Sequence, residues 1–298
     1  MQERVLAPRT LHFGTEQTFW ECNEAWKCED GLDLDNHENT GFRLDHIVKG
    51  LQSQAPLYRK DNLRRLWHIL VESYTSRNMT YQSDKLPALS GVIDALQRET
   101  NDKCYAGIWR SHFLEGLNWQ VIDHDIYLAI SKQPQRPSTW RAPSWSFAAI
   151  EGLVSYEGAS IDGNRFTELE ECNLTPAGLN PLGELRDGFV RLRGPIVDIE
   201  RTSETQDSND LYQLQLHGRN SVRVMVDFDF ERLAHCSAVI LSSNAGLALR
   251  ALGRDGYVRV GRIRVLNKRS PSTGSWYSSS DDLILASNLP PPSSVTLL

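Results

Sequence analysis

The spacing of apolar residues along this chain changes character near residue 140. Before it, Leu63, Leu66, Trp67, Leu70 and Tyr74 recur at helical spacing, which predicts a helix over 61–77 with Asp61 as its cap. Leu86, Leu89, Ile93 and Leu96 recur at intervals of three and four. They predict a second helix that starts after Ser83 or Asp84, with Pro87 tolerated in its first turn. After the change the period is close to two. Tyr212, Leu214 and Leu216 alternate with Gln213, Gln215 and His217, and Val222, Val224, Val226 and Phe228 with Arg223, Met225 and Asp227. Two half-buried antiparallel strands follow from that pattern. Residues 237–241 read as a more buried strand, and 247–252 and 257–265 as a hairpin around Gly253-Arg254-Asp255-Gly256. In the last of these strands the alternation slips by one, from Val258 and Val260 to Ile263 and Val265, which predicts a bulge at or next to Gly261.

Three further stretches complete the pattern. Residues 5–13 and 18–22 flank a turn at 14–17 and predict a hairpin that needs a larger unit to lie on. Residues 104–109 read equally as a strand or the start of a helix. Residues 139–150, Thr-Trp-Arg-Ala-Pro-Ser-Trp-Ser-Phe-Ala-Ala-Ile, place Trp140 and Trp145 on either side of an Ala-Pro step. Pro143 turns Ala142 away from helical geometry, so the segment reads as an aromatic hinge that docks a helical front half onto a β-rich back half. The resulting fold is α+β. It comprises a remnant β-hairpin (1–22), a mainly helical section (23–135), an antiparallel β-rich part of sandwich or barrel type (136–285) and a disordered tail rich in Ser and Pro (286–298).

Composition narrows the functional classes. The 298 residues carry 40% apolar and 23% charged side chains, as a soluble globular protein does, and a net charge of −6. That charge argues against a nucleic-acid partner. The basic corner formed by Arg250, Arg254, Arg259, Arg262, Arg264, Lys268 and Arg269 has few interleaved aromatics and reads as solvated faces. No apolar run is long enough for a membrane span, and the N-terminus lacks a signal-peptide core, so the expected location is the cytoplasm, with no membrane partner. The five cysteines are scattered and form no disulfide framework. Zinc through Cys22 and Cys28 with His37 or His46 is disfavoured by the gap between the cysteines. A calcium loop from Asp33 fails at Glu38, where Gly is needed, and at Leu44, where a bidentate Glu belongs. The acid-rich run from 21 to 45 is then a solvated loop. His124, between Asp123 and Asp125, has no nucleophile at a recognisable spacing. The motifs of nucleophile elbows, phosphate-binding loops and dinucleotide turns are absent from the sequence, so no catalytic residue, cofactor or metal ligand is assigned.

The order of several short motifs resembles the fungal heterokaryon-incompatibility (HET) family. Gln2-Glu3-Arg4-Val5-Leu6-Ala7-Pro8-Arg9-Thr10-Leu11-His12-Phe13 is similar to the closing motif of the HET domain, with Ala7 where the family usually has Ser, and it leads to Phe19-Trp20-Glu21-Cys22. Downstream, Leu86–Gly91, Ala106-Gly107-Ile108-Trp109 and Arg141–Ala148, with Pro143 and Trp145, resemble the region after the domain, and Gly256–Gly261 resembles a late strand of it. The resemblance implies a role in non-self recognition and programmed cell death. It also implies that Met1 falls inside the closing motif, so that nearly all of the domain is missing here. HET domains are distantly similar to TIR-type domains, some of which cleave NAD; any catalytic carboxylate upstream would be missing with the domain. The positions carried over are Gln2, Glu3, Arg4, Pro8, Arg9, Trp20, Pro143 and Trp145, none with a chemical step. The expectation is a non-enzymatic recognition or regulatory region with a protein partner. Its rivals are a small-molecule or nucleotide-processing enzyme with a site near Trp140, Trp145 and His124, and an inert truncated remnant.

Overall fold

The structure is a computed structural model that describes residues 6–7, 9–22, 25–32, 56–77, 79–122, 134–161, 164–206, 209–215, 221–230, 232–253, 256–265, 268–269, 276–277 and 289–298. At the N-terminal end, β1 (Arg9–Phe13), β2 (Thr18–Cys22) and β3 (Trp26–Cys28) form a three-stranded antiparallel sheet. The predicted hairpin is therefore present, and it gains a third strand. Cys22 and Cys28 lie on opposite faces, because Cys28 pairs with Phe19, three residues before Cys22. They cannot share a metal. His37, His46 and the loop from Asp33 lie outside the described residues.

The helical section begins with α1 (Pro56–Thr75). Leu63, Trp67, Leu70 and Tyr74 form its buried stripe, as their spacing requires. Asp61 lies inside this helix and does not cap it; Pro56, whose fixed φ suits a first helical turn, stands at its start. Two 3-10 turns, Gln82–Lys85 and Pro87–Leu89, lead into α2 (Ser90–Thr100), with Pro87 in the first turn of the second. Asn101, in the left-handed region at φ 53°, ends α2. Then β4 (Cys104–Tyr105) and β5 (Ile108–Trp109) make a minimal hairpin. Its turn residues, Ala106 and Gly107, both have positive φ (46° and 88°), as a primed turn demands. A 3-10 turn (Arg110–His112), α3 (Phe113–Leu117) and β6 (Gln120–Ile122) follow, and β6 pairs with β7 (Leu153–Ser155).

The back half contains β8 (Glu168–Pro176), β9 (Leu185–Gly194), β10 (Ile196–Gln206), β11 (Asn209–Gln215), β12 (Ser221–Phe228), β13 (His235–Ile240), β14 (Ala245–Ala251) and β15 (Tyr257–Val265). Beyond them lie a short pair, β16 (Lys268–Arg269) with β17 (Trp276–Tyr277), and the strand β18 (Ser293–Leu297). The nine-stranded sheet runs β12-β11-β10-β13-β14-β15-β18-β9-β8. Pairing of β12 with β15 closes the first six strands into a barrel. The fold is therefore α+β with a large β-rich part.

The bulge lies where the slipped alternation predicts it. Ala248 pairs with Gly261 and Leu249 with Arg259, so Val260 is the extra residue. This lets Val260 and Ile263, three apart, both fill the barrel interior with Tyr212, Leu214, Val224 and Ile240. Gly261 makes the closing seam possible, since a Cβ there would stand 2.6 Å from the Asp227 carbonyl oxygen.

The expected disordered tail is corrected over its last residues. Strand β18 lies between β15 and β9, antiparallel to β9, with Val295 and Leu297 fully buried. The Pro-rich run before it hid a short alternating strand, Ser-Val-Thr-Leu, whose apolar members need a core. Leu298 carries on the pairing, its N–H donating to the Tyr257 carbonyl at 2.9 Å. A second core extends from α1 and α2 through residues 142–150 to β9, β14 and β18, so the helical and β sections share one apolar interior.

Candidate functional site at the junction of the two halves

Residues 141–150 are buried without interruption although they form only one 3-10 turn, Phe147–Ala149. Backbone polar groups that leave water without regular pairing need specific partners, and side chains supply many of them here. Arg141 donates from Nε to the Ala148 carbonyl (2.5 Å), from Nη2 to that of Ile150 (2.8 Å) and from Nη1 to Gln82 Oε1 (3.0 Å). Lys85 Nζ donates to the same Ile150 carbonyl. Ser146 Oγ donates to the Ala106 carbonyl at 2.6 Å and accepts from the Ala148 N–H at 3.1 Å. The indole of Trp119 donates to the Trp145 carbonyl (3.0 Å), and that of Trp67 to Gly107 (2.8 Å). Gly107 is obligatory on two counts. Its φ is positive, and a Cβ would meet the Phe147 ring at 2.3 Å. Ser144 binds the end of the sheet: its N–H (2.9 Å) and Oγ both donate to the Leu298 carbonyl, and its Oγ accepts from Arg259 N–H at 3.1 Å.

Segments distant in sequence thus converge. The stretches at 86–91, 106–109, 141–148 and 256–261 are parts of one packed unit centred on 141–150. Trp145 is fully buried and tilts against Phe113, with ring centroids 5.8 Å apart, whereas Trp140 is 45% exposed. The two tryptophans therefore have different roles. Arg9 and Trp20 lie on the N-terminal sheet; Gln2, Glu3, Arg4, Pro8 and His124 lie outside the described residues.

Lys85 is the most perturbed cation in this cluster. Burial, reinforced by Arg141 and opposed by Glu151, brings its pKa down from 10.5 to about 7. The folded state then binds fewer protons than the unfolded state between those values. Stability from this group is fully present above pH 10.5 and is lost as pH falls through about 7. Lys85→Met keeps the volume, and Arg141 still serves the Ile150 carbonyl. The variant is expected to be more stable than the parent by about 1–3 kcal/mol at pH 7, with the difference shrinking toward pH 10. Urea unfolding of both proteins at several pH values measures this; a Met variant less stable at pH 7 would contradict it.

A second buried polar group joins the barrel to the front half. Arg259 and Asp229 are both fully buried and paired, with Nη1 at 2.7 and 2.8 Å from the two carboxylate oxygens. The guanidinium lies 3.4 Å from the Trp119 ring centroid and donates from Nη2 to the Trp119 carbonyl at 2.5 Å. Burial draws the Arg259 pKa down to about 10 and pushes Asp229 up; each partner opposes the shift of the other. Arg262 bridges Asp227 (2.9 Å) to the Glu157 carbonyl (2.6 Å) and to Gln120 Oε1. Burial also raises Asp227, but Arg264 and Arg262 outweigh it and hold its carboxyl below the ordinary value. The expected solvated basic corner is thereby corrected. Arg259 and Arg262 are internal because the bulge turns both toward the front half, while Arg250 remains exposed and Arg264 is 40% exposed. Arg254 and the side chains of Lys268 and Arg269 are not among those described.

Among the described residues, several groups that could act as nucleophile or base are held by burial and packing. All five cysteines are free thiols, and burial raises Cys104, Cys172 and Cys236, the last two to about 12. Such thiols are poor nucleophiles at neutral pH. Burial lowers His68 to about 3, and its ring stacks on Tyr156 with centroids 3.8 Å apart, so it is neutral at physiological pH. Ser111 Oγ donates to Asp102 at 2.5 Å with no histidine between them. Among the described residues no three His, Cys, Asp or Glu side chains gather as a metal site would require. No described helix is long and apolar enough to cross a membrane.

Among the described residues an open concavity lies at the junction, a cleft of ≈ 440 Å³ walled by the turn at 110–114, the entry to β8 (165–169), Arg193 of β9 and Pro292. Three arginines, Arg110, Arg165 and Arg193, edge it over an apolar wall that includes Phe166 and Leu169. No sequence spacing announces it, because its residues come from four separate segments. Compared with family models, with curated proteins and with solved structures, the chain matches none of them.

Proposed function

We propose that this chain is the recognition or regulatory region of a cytoplasmic fungal heterokaryon-incompatibility protein, acting in non-self recognition without catalysis of its own. One observation carries the reading. Leu11, Phe13 and Trp20 share one face of the N-terminal sheet, with Leu11 opposite Trp20, and are 48%, 82% and 40% exposed. Three large apolar side chains side by side in water are the mark of a face that another protein unit covers. The resemblance suggests that unit, since the sequence of this hairpin resembles the closing motif of the HET domain. The convergence of the motif-bearing segments on residues 141–150 supports the same reading, because it gives the ordered motifs a common physical reason. The described thiols and buried histidine, spent on packing, support a scaffold in preference to an enzyme. Purified chain incubated with NAD, ATP or GTP is expected to release product no faster than buffer. Turnover well above that background, lost on heat denaturation of the protein, would overturn the proposal.

A further inference from the structure

We infer that the cleft between the front half and the β8–β9 hairpin is a binding site for a small organic anion, one that joins a carboxylate or phosphate to an apolar body. This inference is independent of the recognition role proposed above.

Its size is that of small-ligand pockets, which typically run from about 300 to 1,000 Å³, against ≈ 440 Å³ here. Its composition divides in two. Phe166, Leu169 and Pro292 offer apolar surface, and Arg110, Arg165 and Arg193 offer guanidinium donors.

The three arginines are not equivalent. Arg165 already gives Nη2 to buried Glu115 at 2.5 Å, and Arg193 has Glu170 3.8 Å from Nη1. These acids hold the two guanidinium groups in place and leave further N–H groups on each. Arg110 makes no side-chain hydrogen bond or ion pair among the described residues, and it is exposed at the rim. The hydroxyl protons of the lining are already used, Ser111 Oγ donating to Asp102 and Thr167 Oγ1 to the Ile240 carbonyl at 2.6 Å. Among the side chains of the lining, the donors left uncommitted are therefore guanidinium N–H groups. Their natural complement is an oxyanion that can take two N–H groups at once. Glu168 on the same lining disfavours a ligand with many negative charges, so the anion is a single group on an apolar carrier.

The experiment uses the full chain and four probes: phenyl phosphate, benzoate, inorganic phosphate and the neutral benzyl alcohol. Binding is followed by calorimetry or by protein NMR shifts. Saturable binding of phenyl phosphate or benzoate, with phosphate and benzyl alcohol each at least about tenfold weaker, is expected, since each lost charge-assisted contact accounts for about that factor. Preference between the first two separates a phosphate-bearing from a carboxylate-bearing ligand. Arg110→Gln, at an exposed position, is expected to weaken the better probe by about tenfold or more, and Arg193→Gln provides the check from the other wall. Absence of saturable binding of both aromatic anions, binding of benzyl alcohol as tight as benzoate, or binding unchanged in both folded variants would overturn the inference.

Discussion

A chain shortened to end at Pro292 is expected to lose cooperative folding. Strand β18 is an internal member of the sheet, and its five residues pair with β9 from Ser293 opposite Gly194 to Leu297 opposite Val190. Removing it would open β9 and β15 along facing edges and uncover Val190, Leu192, Leu247 and Leu249, all fully buried and in one cluster with Val295 and Leu297. It would also leave the Ser144 N–H and Oγ without the Leu298 carbonyl, inside a buried segment. The milder Leu297→Ala keeps every backbone bond and deletes only buried methyl groups, for an expected loss of about 2–5 kcal/mol. Urea unfolding followed by circular dichroism distinguishes the two: a shifted but steep transition for Leu297→Ala, and a broad or absent one for the shortened chain. A shortened chain with the parent midpoint would show that β18 is dispensable.

Asp229→Ala is expected to destabilise the protein by about 3–5 kcal/mol. The substitution leaves Arg259 charged and fully buried, with only the Trp119 face and one carbonyl to replace solvent. Losing the carboxylate removes two of the interactions that hold the Arg259 pKa up, but a guanidinium starts so far above neutrality that the side chain keeps its proton. Replacing both partners, as in Asp229→Leu with Arg259→Met, removes the stranded charge along with its counter-charge. Such replacements in other buried pairs are neutral or stabilising by about 1–4 kcal/mol. The double variant is accordingly expected to recover most of the loss. If Asp229→Ala alone left the unfolding midpoint unchanged, the pair would be contributing nothing to the junction.

These effects explain why the strands were legible in the sequence and the junction was not. Alternation is a local signal, and it located β11 to β15 and even the bulge beside Gly261, since each depends on neighbours one or two residues away. The roles of Arg259 and Arg262 depend on Trp119, Asn118, Gln120 and Glu157, more than a hundred residues earlier in the chain, and an arginine on a strand reads as solvated until those partners are known. The tail misled for a related reason. Pro290, Pro291 and Pro292 dominate its composition, while the two side chains that fix β18, Val295 and Leu297, are too few to stand out. At 139–150 the aromatic content pointed to docking, but it could not separate Trp145, wholly internal, from Trp140, half in water. The arginine cleft left no trace, because its walls come from four segments far apart in sequence.

The proposed recognition role requires the helical and β sections to hold their surfaces in a fixed relation and so to behave as one unit. The shared core and the two buried arginine clusters supply the physical reason for that behaviour. Hydrogen exchange on the intact chain and on Leu297→Ala tests it most directly, read at Val154 of β7 in the front half and at Leu247 of β14 in the barrel wall. Protection is predicted to fall at both positions together, by about 100-fold, the exchange equivalent of a buried Leu→Ala loss. Loss at one position with full protection kept at the other would show two independent units and would contradict the account.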